Sequence, residues 1–197
     1  IRKIRSSGHV IEGSGLFDGS SGYLTRTPGS AGNVDTWTYR AVVKMGPLGT
    51  GTRYLLEAGV DASNRTSIWL SSTDNVGIYN NVGGTINIYR LTAPLLRDFS
   101  AYYDIVVSVD TTQSTASDRV KVWINGTQVT SWATDTMTIA QNGNTFVNST
   151  DIHRIGSQSF QEGGFQTGYM ANVTFIDGLQ LDPTSFGEVT DDGFWQI

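Results

Sequence analysis

The sequence predicts an all-β domain in which two antiparallel sheets pack face to face as a sandwich. Three observations predict it. Gly, Ser, Thr and Asn recur in clusters roughly every ten residues, as turns between short strands do. Several runs alternate apolar and polar side chains with period two, the spacing that sends neighbours to opposite faces of a strand. Helical periodicity is almost absent. The 197 residues suit one domain of this class, which runs to about 200–250 residues. A chain of that length buries roughly 70% of its unfolded surface, so its core holds without cross-links. There are no cysteines, which excludes disulfides and cysteine-based zinc sites.

Residues 1–14 carry no clear pattern and are read as an N-terminal arm, with a single domain over 15–197. In Thr36–Met45, Trp37, Tyr39, Ala41, Val43 and Met45 alternate with Thr38, Arg40, Val42 and Lys44, so one face is expected buried and the other wet. In Tyr102–Asp110, Tyr103, Ile105, Val107 and Val109 share one face. Val120, Val122 and Ile124 form the next strand and run into Asn125-Gly126. Asn-Gly supplies the positive φ angles of a type I′ turn, so a hairpin into residues 128–130 follows. Tyr169, Ala171, Val173 and Phe175 make a late strand that ends at the turn pair Asp177-Gly178. Weaker strands are expected at 53–58, 67–70, 76–79, 86–91 and 152–155, a loop or short helical turn at 94–99, and a long polar surface loop at 141–150.

The order of these pieces resembles the concanavalin-like (laminin-G-like) jelly-roll family. The resemblance is carried by Phe17-Asp18-Gly19 through Tyr23-Leu24, by Trp37-Thr38-Tyr39-Arg40-Ala41-Val42-Val43-Lys44, by Tyr102-Tyr103-Asp104-Ile105-Val106-Val107 and by Val120-Lys121-Val122-Trp123-Ile124-Asn125-Gly126. It continues in Gly168-Tyr169-Met170-Ala171-Asn172-Val173 and the closing Phe175-Ile176-Asp177-Gly178 to Ser185-Phe186-Gly187. It covers residues 16–195. The closing sub-pattern is similar to domains of phage virion proteins. The family implies two curved antiparallel sheets, and functions that range from sugar binding and adhesion to structural packing and, in glucanase relatives, hydrolysis.

The charge is −5, and Arg2, Lys3 and Arg5 stand in the first five residues. Without them ten cations face eighteen anions, a body of −8. So acidic a body argues against a nucleic-acid partner, which needs clustered Lys and Arg. The basic head is read either as an anchor on an acidic protein neighbour or as a solvated tail. No run of about 18 apolar residues is present to span a membrane. The chain begins at Ile1 and shows no signal-peptide core, so it is expected to be processed or a piece of something longer.

Hydrolysis is disfavoured on the residues. A retaining glycosidase needs two carboxylates about 5–5.5 Å apart, which relatives obtain from acids two or four apart on one strand. No two of the eighteen acids stand two apart, and Glu57 and Asp61, four apart, read as a strand running into a turn. His9 and His153 have no metal-ligand spacing, and no nucleophile elbow or phosphate loop is present.

Sugar binding fares better. Aromatic faces with fixed polar groups hold sugars in a shallow groove, and Trp69, Tyr79, Asn80, Asn81, Asn87, Tyr89 and Arg90 lie on or between adjacent expected strands, where the resemblance implies the concave sheet and its loops. Trp123 and Trp132 flank the Asn125-Gly126 hairpin as a second group. The competing reading places these aromatics in the core, and for Trp37, Tyr103 and Tyr169 it is adopted. No cofactor is required. The family often holds a calcium ion, for which Asp18 and Asp177 are the candidates if the termini meet as in relatives; otherwise each bonds its own turn. The expected function is a non-enzymatic structural or adhesive module of a surface assembly at a virion or extracellular surface, a phage capsid decoration or tail-fibre domain, present in many copies and able to bind glycan. The alternative is a carbohydrate-binding module appended to an extracellular enzyme.

Overall fold

A computed structural model describes residues 13–46 and 51–197; Arg2, Lys3 and Arg5, the expected anchor, lie outside the described residues. In chain order the strands are β1 (Gly15–Asp18), β2 (Leu24–Arg26), β3 (Thr36–Met45), β4 (Arg53–Asp61), β5 (Asn64–Leu70), β6 (Asn75–Val82), β7 (Thr85–Leu95) and β8 (Tyr102–Asp110). They continue as β9 (Val120–Ile124), β10 (Thr127–Gln128), β11 (Trp132–Met137), β12 (His153–Ile155), β13 (Thr167–Asp177), β14 (Glu188–Val189) and β15 (Trp195–Gln196). One sheet has six strands in the order β1-β13-β3-β8-β9-β10; the other has seven in the order β11-β7-β6-β5-β4-β12-β2. All of their pairings are antiparallel. The fold is the jelly-roll sandwich that the alternation and turn spacing predict.

The core follows from register. In β3, Trp37, Tyr39, Ala41, Val43 and Met45 point inward and meet Ile68, Leu70, Val76, Ile78 and Ile88 of the facing sheet in one apolar cluster. The Asn125-Gly126 turn forms as expected, with φ of +49° and +74°.

Four features depart from the sequence reading. The polar face of β3 is not wet: Thr38, Arg40 and Val42 are buried, because residues 179–197 fold back over the outer side of the six-stranded sheet. Thr38 Oγ1 donates to Leu179 O and accepts from Leu181 N–H, and Phe186 lies against the Arg40 guanidinium. The expected loop at 94–99 starts late, since β7 runs through Pro94 to Leu95. The 141–150 loop is irregular but tucked in: Thr145 and Val147 are buried, and Thr145 Oγ1 accepts the Trp37 indole N–H at 2.9 Å. The opening segment 17–24, which is similar to the family's first strand, is not one strand here, since a turn at Asp18 sends the chain from one sheet to the other. Strands β11, β14 and β15 had no apolar alternation to announce them.

Candidate functional site

The outer face of the seven-stranded sheet carries a connected row of aromatic rings. Trp69 lies on β5, Tyr79 on β6 and Tyr89 on β7, with Tyr79 directly opposite Tyr89 and Trp69 opposite Gly77. Their sequence neighbours Ile68, Ile78 and Ile88 fill the core, so period two places the three rings outside. The Trp69 and Tyr89 rings are nearly parallel, 6.2 Å apart at 14°, and Tyr79 meets Tyr89 edge-on at 6.1 Å. Both arrangements suit the aromatic quadrupole. A side chain on Gly77 would collide with the indole; the glycine lets Trp69 lie down on the sheet. All three rings are partly exposed.

Arg65 extends the row. Its guanidinium sits 5.0 Å from the Tyr79 ring and 5.4 Å from that of Phe160, and it pairs with Glu57 at 3.3 Å. Glu57 is fully buried. It accepts from Ser67 Oγ, from the Ser159 N–H at 2.8 Å and from the Ser159 hydroxyl. Burial pushes its carboxyl above the usual range, against the pull of those bonds and of Arg65. Glu57 is thereby occupied in holding the 156–166 loop to β4. Asp61 lies four residues, about 13 Å, further along the strand, in the β4–β5 turn, where it accepts from Ser63 N–H and the Asn64 amide. The two acids do not form the carboxylate pair that glycoside hydrolysis requires.

The other sequence candidates divide by face. Asn81 lies on the aromatic side and donates to Tyr79 Oη at 3.0 Å and to Ala62 O. Asn80, one residue earlier, turns inward and is fully buried; it accepts from Thr66 Oγ1 and donates to Asn87 Oδ1 and Asn144 O, tying down the 141–150 loop. Arg90 alternates inward from Tyr89. It pairs with Asp135 through two bonds, donates to Val120 O of the opposite sheet and stacks 4.3 Å over Trp132, so Arg90 is a strap between the sheets with Trp132 packed against it. Trp123 faces away from the core but is only 7% exposed, on the side that residues 179–197 cover. Asn80, Arg90 and Trp123 thus lie off the aromatic face. Tyr169 is not core either; it pairs with Lys44 on the outer side and is exposed.

Asp18 and Asp177 do not meet. Asp18 pairs with Thr167, at the opposite end of β13 from Asp177, a separation of roughly 30 Å along the strand. The Asp18 carboxylate accepts from the N–H groups of Ser21, Ser20 and Gly22, which hold it well below the usual carboxylate range. Asp177 Oδ1 accepts from Asn33 N–H and the Asn148 amide. Among the described residues no group of three or more His, Asp or Glu side chains is placed to hold a metal, and no helix is long and apolar enough to cross a membrane. His153 fastens a loop: its Nδ1 bonds Asp151 O and its Nε2 accepts from Asn148 N–H at 2.8 Å, and burial lowers its pKa.

Sequence reasoning missed Arg65 and Gly77, and weighed Glu57 only as half of a catalytic pair. The signal for the first was present: Arg65, Ser67 and Trp69 stand at period two on one strand.

The fold has parallels among solved structures. A heptameric SAP-like pentraxin from Limulus polyphemus superposes with a TM-score of 0.55 at 15% identity, over 81% of this chain and 73% of that one. Domain 4 of AbnA, a GH43 extracellular arabinanase from Geobacillus stearothermophilus solved with arabinotriose, gives 0.54 at 16% identity, over 85% and 72%. The CBM40 of the Ruminococcus gnavus IT-sialidase gives 0.52 at 12% identity, over 82% and 95%. The chain therefore has the lectin-like jelly-roll fold of these domains. No protein-family model matches the sequence, and no curated protein matches it.

Proposed function

We propose that this chain is a non-catalytic carbohydrate-binding module whose ligand lies across the outer face of the seven-stranded sheet. The observation that carries this reading is the connected row of Trp69, Tyr89 and Tyr79, partly exposed on one sheet face and flanked by Arg65 and Asn81. Sugar rings offer apolar C–H faces to such rings and hydroxyls to the polar groups beside them. Folds of the same kind in the arabinanase domain solved with arabinotriose and in the sialidase CBM40 support it. The same face serves whether the chain decorates a surface assembly, as the resemblance to virion domains implies, or targets an extracellular enzyme; the proteins that co-purify with it separate those settings.

A glycan array followed by calorimetry on the bound glycans tests the reading. Trp69→Ala is expected to weaken binding at least about tenfold, equivalent to about 1.4 kcal/mol, with the melting temperature little changed. An array on which nothing binds, or a Trp69→Ala variant that binds as well as the parent, refutes it.

A further inference from the structure

Among the described residues one edge of the sandwich is open. Strand β1 pairs with β13 only from Thr167 to Met170, so among the described residues the rest of β13 is a sheet edge. Val173 and Phe175 face the inter-sheet space, since Phe175 stands opposite the core residue Tyr39, yet they are 37% and 40% exposed. Across from them β2 and β12 present Leu24, Arg26 and Ile155. Between the two edges lies a crevice of about 490 Å³, floored by Tyr39, Leu56, Val147 and Ile155. Its polar lining is largely engaged: both His153 nitrogens are bonded, and Asp177 holds Asn33 and Asn148. Arg26 takes part in none of the ion pairs among the described residues.

The molecule also carries a projection of matching chemistry. The β14–β15 hairpin ends in Thr190-Asp191-Asp192-Gly193-Phe194. Gly193, at φ +83°, closes a tight turn: Thr190 N–H donates to Phe194 O, and Gly193 N–H donates to Thr190 O, each at 2.8 Å. Phe194 N–H also donates to Thr190 Oγ1. Phe194 is 72% exposed, beside two carboxylates that enter no ion pair among the described residues.

We propose that the crevice receives the hairpin tip of a second copy of this chain, with Phe194 between Phe175 and Leu56 and with Asp191 and Asp192 against Arg26. Within one molecule the tip cannot fill the crevice: the hairpin is fixed over β8 by Trp195, whose indole N–H donates to Asp104, whereas the crevice opens at the β13 and β2 edges. The contact therefore joins different patches on successive copies and builds a ring where the rotation closes and a filament where it does not. A small interface of this kind is weak alone and becomes effective where many copies are held together.

Sedimentation velocity and native mass spectrometry over a concentration series test it. The parent chain is expected to self-associate. Phe194→Ala should weaken association at least about tenfold, the loss of a buried aromatic anchor. Arg26→Glu, and separately the pair Asp191→Lys with Asp192→Lys, should abolish it; mixing those two variants should restore it, since each crevice then meets a tip of opposite charge. All of these side chains are on the surface, so unchanged melting temperatures confirm that the variants fold. A parent chain that stays monomeric, association that survives Phe194→Ala and Arg26→Glu, or a co-purifying small amphiphile on a monomeric chain would each overturn the proposal.

Discussion

The two sheets treat their outer faces in opposite ways. On the six-stranded sheet, Arg40, Asp104 and Trp123 point outward and are buried, because residues 179–197 cover them. The Arg40–Asp104 pair, at 2.8 Å, is completed by the Trp195 indole N–H on the second carboxylate oxygen. On the seven-stranded sheet Trp69, Tyr79 and Tyr89 point outward and remain partly open, with the 156–166 loop folded beside them over Glu57. Trp123 and Trp69 both point outward from inner strands of their sheets, and what separates them is whether another part of the chain lies on top. An outward aromatic becomes a ligand surface only where the fold leaves it uncovered.

The largest test of that contrast is to break the seal. Asp104→Ala leaves Arg40 buried without its partner, which costs about 3–5 kcal/mol; urea or thermal unfolding should show a loss of that size with glycan binding by the remaining folded protein unchanged. Trp195→Phe removes only the indole donor to a charged acceptor, about 1.5–3 kcal/mol, measured the same way. On the open face, Gly77→Val lifts Trp69 from the sheet and should cost about 1–3 kcal/mol of stability while removing binding, so here the two readouts fall together.

The smallest effect concerns the loop that His153 fastens. Its folded pKa lies below the ordinary value of 6.5, so the folded state prefers the neutral ring. That contribution is complete above 6.5 and is lost as pH falls from there through the lower folded value. The raised carboxyl of Glu57 acts with the opposite sign, since in the window above its ordinary value of 4.5 the folded chain holds the proton more tightly and acidification stabilises. Unfolding free energy against pH for the parent, compared with His153→Gln, isolates the histidine: the difference should shrink on acidification, and a pH-independent difference would dismiss the assignment.

Much of the fold beneath this contrast was legible in the sequence. Alternation in 36–45, 102–110 and 120–124 placed the central strands of one sheet, and Asn125-Gly126 placed its tight turn. The aromatic row was found by residue type, but alternation had to be carried across every position to use it: Asn80 and Arg90 adjoin Tyr79 and Tyr89 in sequence and for that reason point the other way. The burial of Arg40 and Trp123 was hidden because the segment that covers them lies some distance along the chain and carries no strand pattern of its own. Asp18 and Asp177 were paired on the expectation that the chain's ends meet; the strand of Asp18 does pair with the strand that carries Asp177, but at its opposite end. The crevice was invisible because it arises where a strand stops short.

The covering segment also sets an order of assembly. A chain made from its N-terminus presents β3 and β8 well before residues 179–197 exist, so Arg40 and Asp104 first meet in water, where an ion pair contributes little. Only when Trp195 arrives is the pair withdrawn from solvent, its last acceptor filled and the outer face sealed. Until then the nascent sandwich leaves Val42 and Trp123 of that face uncovered beside the ion pair, which makes the interval before those residues emerge a period when it needs protection from other chains.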